Sequence, residues 1–193
     1  MPLRPGLFCA ILIKKRIRVE AGMDARIIVC GLNGAGKSTF GAALAEALGF
    51  PFFDIESYYF PIQHDYTHPR TREEAYALLR RDTETLSSFV LAAVHGEPDW
   101  PLTHAILLDV PAEERAARVR MRSRAKFGSR MLPGGDLWES EERFFAFCAA
   151  RPETAATDWM RASAIPSLRL DGTLPTAENV PLAADWIRNT PTS

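Results

Sequence analysis

Gly31-Leu32-Asn33-Gly34-Ala35-Gly36-Lys37-Ser38 sets two glycines, a lysine and a hydroxyl in the order G-x-x-x-x-G-K-[ST], with Thr39 next in the chain. That order suits phosphate chemistry. Gly34 and Gly36 permit backbone angles that turn successive N–H groups inward onto phosphate oxygens. A helix opening at Ser38 adds the positive end of its dipole. Lys37 is spaced to reach β- and γ-phosphates, and the Ser38 hydroxyl to take a Mg²⁺ ligand position. Gly31–Thr39 therefore reads as a cradle for a purine nucleoside triphosphate, expected to be Mg-ATP, with Asn33 and Ala35 completing its lining.

Two further stretches carry chemistry. Glu56–Arg72 (ESYYFPIQHDYTHPRTR) is where a small-molecule acceptor is expected. Tyr58, Tyr59 and Tyr66 offer stacking faces and hydroxyls, and Arg70 and Arg72 are candidates to grip an anion. His64 and His68 stand four apart, but the neighbouring prolines argue against the regular helix a metal site would need. From Arg115 to Arg130 the chain carries seven basic residues and no acid. That imbalance fits the neutralisation of a transferring phosphoryl group. Arg118 and Arg122, four apart on one helical face, and Arg130 are the candidates. Arg115, Arg120 and Arg124 read as a solvated face. Trp138, Phe144, Phe145 and Phe147 read as ordinary helix packing.

The elements that must position these residues alternate in type. Arg26–Cys30, Phe52–Ile55, Phe89–Val94, Ala105–Val110 and Ser167–Leu170 are short apolar runs of the kind buried on both faces of a parallel sheet. Between and after them, helices are predicted over 38–48, 72–86, 112–125, 139–150, 153–162 and 177–188, with Pro181 as a kink or first-turn residue of the last. Phe127–Asp136, with three glycines and a proline, is predicted as a loop. Strand-helix alternation implies right-handed crossovers and an α/β sandwich.

The 193 residues suffice for one domain, and a net charge of −1 gives no whole-chain signal for nucleic acid or membrane surfaces. Cys9, Cys30 and Cys148 form no C-x-x-C pattern, which favours a reducing, cytoplasmic setting over a disulfide framework. Residues 1–22 read as an extension before a functional start at Met23. An added edge strand at Phe8–Ile13 is the alternative. The expected division is 1–22 as extension and 23–193 as one domain, which leaves monomer and homodimer both open.

The loop GLNGAGKST, the short second strand FFDIE, the arginine-rich LLDVPAEERAARVRMRSR and the terminal LRLDGTLP together resemble the adenylate-kinase-like small P-loop kinases, whose members include shikimate, gluconate and nucleotide kinases. The resemblance runs from Arg26 to Arg188. It implies a three-layer sandwich around a five-stranded parallel sheet of order 2-3-1-4-5, an acceptor-binding insertion at 56–72 and a lid at 127–137. It places Asp54 where such kinases carry a carboxylate that accepts a hydroxyl proton or holds Mg²⁺ through water. A solvated loop acid or helix cap is the other reading of Asp54. It likens Arg118 and Arg122 to the arginines that flank the lid, and puts Gly172 and Thr173 beside the adenine. Asp171-Gly172 is equally a plain turn.

The chain also departs from that pattern. Adenylate kinases carry D-G-[FY]-P-R after strand three, where His95-Gly96-Glu97 stands here, and no Walker B aspartate ends that strand. Asp109, Glu97 and Asp54 are the acids left to hold the metal. The expected function is transfer of the ATP γ-phosphoryl group to a small molecule. A nucleotide-dependent switch and a nucleic-acid end kinase are the alternatives.

Overall fold

The computed structural model describes residues 24–60, 69–97 and 99–191. The extension, the strand expected at Phe8–Ile13, the start at Met23, His64, Tyr66 and His68 all lie outside them.

Arg26–Cys30 forms β1, and its alternating side chains feed two separate cores. Ile27 and Val29 join a cluster with Phe40, Leu44 and Ile187, whereas Ile28 and Cys30 join one with Leu79, Leu91 and Ala156. A strand buried on both faces must sit mid-sheet, and β1 does. It pairs in parallel with β3 (Phe89–Ala92) on one side and β4 (His104–Asp109) on the other. β2 (Phe52–Asp54) and β5 (Ser167–Asp171) add the edges, and the order is β2-β3-β1-β4-β5. The expected sheet order is correct.

Helix α1 (Lys37–Leu48) and the terminal α7 (Thr176–Asn189) cover the first face. Pro181 lies in the interior of α7, beyond its first turn. Helices α3 (Arg72–Thr83) and α6 (Ala155–Ser163) cover the second. Thr71 starts α3 with a reciprocal capping box to Glu74, which explains why the helix begins there. Truncating a core residue such as Leu44 to alanine would cost about 2–5 kcal/mol.

Three differences from the sequence reading bear on the site. Ile55–Tyr59, read as irregular chain, is a one-turn helix, α2, capped by Asp54. Helix α4 extends over Ala112–Phe127, and Gly128–Met131 follows as a 3-10 turn instead of open loop. Helix α5 (Trp138–Ala150) packs Phe145 against Val119 and Met131, but Phe147 stands exposed, against its reading as packing. No helix among the described residues is long and apolar enough to cross a membrane.

Candidate active site

All five strands run parallel, so their carboxyl ends open on one side, and the Gly31–Ser38 loop leaves β1 there. Gly34 takes φ 86°, and a β-carbon on it would lie 3.0 Å from the carbonyl carbon of Arg115 and closer still to its oxygen. Only glycine permits both that angle and that approach. Gly36, at φ 91°, is the N-cap of α1, and no side chain caps the helix. The first-turn N–H groups of α1 thus keep their bonding capacity for an anion, at the positive end of the dipole. The residues present fit a phosphate chain.

Lys37 completes that fit. Its ammonium donates to the Leu32 carbonyl at 3.2 Å. Burial lowers its pKa, while Glu56 first and Asp54 second draw it back up, and Arg151 adds to the lowering. The lysine therefore stands between two carboxylates at the head of α2 and an arginine from the α5–α6 junction. Beneath it, burial pushes the Cys30 thiol up to about 12 and keeps it a neutral packing group. Asn33 adds a buried amide oxygen with no hydrogen-bond donor.

Asp54 ends β2, as expected, and also caps α2: its Oδ1 accepts from the Glu56 N–H at 3.0 Å. The two readings of this residue are compatible, because capping uses one carboxylate oxygen. Of the other acids proposed for the metal, Glu97 accepts from Arg72 Nη2 at 2.6 Å, and Asp109 is bound by Arg169, whose Nε donates at 3.0 Å. Among the described residues no group of three or more His, Cys, Asp and Glu could hold a metal ion. Mg²⁺ would here draw on the Ser38 hydroxyl, the free oxygen of Asp54 and the phosphates themselves, which is the sparse donor set that ion accepts.

The arginines divide. Arg115, read as solvated, is 6% exposed: its Nε donates to the Val110 carbonyl and its Nη2 to both oxygens of Glu153 at 2.6 and 2.5 Å. A guanidinium tucked between a strand end and a carboxylate 38 residues away leaves no periodic trace in the sequence. Arg118 donates to the Gly172 carbonyl at 3.0 Å and to Glu114 at 2.5 Å, tying α4 to the turn after β5. Gly172 N–H in turn reaches the Asp109 carbonyl, and the Thr173 N–H and hydroxyl both bond Asp171. The 171–173 segment is a fully bonded turn bordering a cleft of about 500 Å³ lined by Asp109, Arg169 and Thr173. Arg130 is bound by Asp136 within the expected lid, at 2.6 Å and in the open.

Arg122 is exposed on α4 and forms no ion pair among the described residues. It reaches the same space as Lys37, however: Arg151, Arg122 and Lys37 each hold down the Cys148 thiol that burial raises, and Glu56 opposes them. Arg151 is the cation that the sequence reading missed. A lone arginine before a proline carries no spacing signal. On the acceptor side Arg70 donates to the Tyr58 carbonyl and Arg72 is held by Glu97, so the expected anion grip at these positions is already engaged. Tyr59 and Tyr76 pack edge to face there, and burial raises both phenols.

Comparison with known proteins agrees with this geometry. The shikimate kinase family model matches residues 33–64, the span from the phosphate loop through α2. An uncharacterized protein, YqaC of Bacillus subtilis (strain 168), is 26% identical over 177 residues, covering 86% of this chain and 98% of its own. A gluconokinase from Sinorhizobium meliloti 1021 superposes with a TM-score of 0.51 at 20% identity, over 86% of this chain and 92% of its own. A deoxyadenosine kinase from M. mycoides with bound dATP gives 0.51 at 14% identity, over 84% and 99%. By its 2-3-1-4-5 sheet and its phosphate-loop segment, the chain has the fold of the small P-loop kinases, in their adenylate-kinase-like and shikimate-kinase-like branch.

Proposed function

We propose that the protein is a phosphotransferase that moves the γ-phosphoryl group of Mg-ATP to a hydroxyl- or phosphate-bearing small molecule. One observation carries this reading: Lys37, in a glycine loop at an uncapped helix start, is flanked by Glu56 and Asp54 where β1 and β2 open. A cation for the donor and carboxylates for the acceptor are what in-line transfer requires side by side.

The loop amides and Lys37 would hold the phosphates. Asp54, fixed by its own cap, would orient the attacking hydroxyl and accept its proton, with Glu56 next to it. Mg²⁺, when bound beside Ser38, supplies charge neutralisation. Arg122, Arg118 and Arg130 remain proposed phosphate contacts, the latter two on release from Glu114 and Asp136. Gly172 and Thr173 border the proposed base position.

The test is a metabolite-library screen for ADP release by purified protein, with Lys37→Ala as control. Release that rises only with particular metabolites, and vanishes in the variant, supports the reading. Slow hydrolysis indifferent to every metabolite selects a nucleotide-dependent switch instead, a reading that the engagement of Glu97 and Asp109 by arginines favours.

A further inference from the structure

Arg115 is a structural junction as well as a buried side chain. Its carbonyl backs Gly34 of the phosphate loop, its Nε binds the end of β4 through Val110, and its Nη2 grips both oxygens of Glu153. A buried guanidinium bound bidentately by a carboxylate resists rearrangement, because separating the two leaves an uncompensated charge. The loop, the β4 end and the chain at Glu153 are therefore held at one point. Arg151 lies two residues before Glu153, with Pro152 between them. Pro152 fixes its own φ, so the guanidinium root of Arg151 stays within about 7 Å of the clamp, the reach of two extended residues.

Arg151 has no ion-pair partner among the described residues. Its guanidinium rests 5.0 Å over the Phe147 ring and raises the positive potential at Lys37 and at Tyr59. It therefore stands on the acceptor side of Lys37, where the terminal phosphate of a bound nucleotide would lie. Arg118 and Arg130 are already bonded to Glu114 and Asp136.

We propose that Arg151 reads the γ-phosphate, and that the Arg115–Glu153 clamp, seated against the back of the phosphate loop, is the positioning device that sets it there. The inference rests on the triphosphate reading above. Glu153 acts through Arg151 and touches no substrate.

The experiment is calorimetric titration of Mg-ATP and Mg-ADP into the wild type, Arg151→Ala, Glu153→Ala, Glu153→Gln and the Arg151→Ala/Glu153→Ala double variant, with a melting temperature for each. In the wild type, Mg-ATP binds more tightly than Mg-ADP. Arg151→Ala should lose roughly 10- to 100-fold in Mg-ATP affinity, the scale of a misplaced phosphate contact, while Mg-ADP affinity changes little. Glu153→Ala should reproduce most of that selective loss, and the double variant should go no further than Arg151→Ala alone. Glu153→Gln, which keeps a hydrogen-bond acceptor for Arg115, should recover part of it and carries the test if Glu153→Ala does not fold. An unchanged ATP-to-ADP ratio in Arg151→Ala, or fully additive losses, would overturn the proposal, as would a Glu153 effect confined to melting temperature. If the wild type binds neither nucleotide, the triphosphate reading falls and this inference with it; wild-type binding with indifferent variants removes the inference alone.

Discussion

The carbonyl of Arg115 lies directly behind Gly34, so the phosphate loop is shaped by a residue of α4 far from it in sequence. Replacing Gly34 with alanine would impose a positive φ on a residue with a β-carbon, at about 1–2 kcal/mol, and drive that carbon into the Arg115 carbonyl. Gly34→Ala should lower the melting temperature and abolish Mg-ATP binding. At Gly36 a β-carbon meets nothing within 4 Å, so Gly36→Ala should lose nucleotide affinity with a smaller thermal penalty. Equal melting temperatures for the two variants would show that the Arg115 contact does not shape the loop.

Lys37→Ala removes the only cation of the loop itself. Its affinity for Mg-ATP should fall by at least about 100-fold, the scale of a charge-assisted contact. The fold should persist, since the ammonium makes a single carbonyl bond. Isothermal titration beside circular dichroism checks both statements, and retained affinity would remove the central assignment.

Asp54→Asn separates capping from charge. Asparagine caps helices as well as aspartate, so α2 and Mg-ATP affinity should be preserved. Turnover should drop by about 100-fold or more, in the range of a lost general base. Normal turnover would transfer the role to Glu56, which Glu56→Gln then tests.

His104 supplies a pH dependence remote from the site. It is buried at the start of β4, with Nε2 against the Thr190 carbonyl at 3.1 Å and Nδ1 against the Thr103 hydroxyl at 2.9 Å. Burial lowers its pKa from the ordinary 6.5, and the bond to Thr190 opposes that shift only in part. The unfolded chain thus binds this proton more readily than the folded one. The stability at stake is complete above the unfolded value and is lost as pH falls through the depressed folded value. Melting temperature should decline on acidification below about pH 6.5, and more steeply in the wild type than in His104→Gln. Parallel slopes would exclude His104 as the cause.

The sequence by itself determined what depends on contiguous residues. The G-x-x-x-x-G-K-S run declares its phosphate cradle because the turn, the helix start and the lysine all lie within eight positions. The apolar runs likewise mark five buried strands, since a strand covered on both faces has no polar alternate positions. Even Asp54 was legible, as both a strand end and a cap.

The arginines were not. A helix with a basic residue every two or three positions suits several partners, and which guanidinium is buried, bonded or available depends on distant groups. Arg115 found Glu153 and Arg118 found Gly172, 38 and 54 residues away. Only the tertiary structure brought Arg151 to the space beside Lys37, because Coulomb interactions act across the folded crevice and not along the chain.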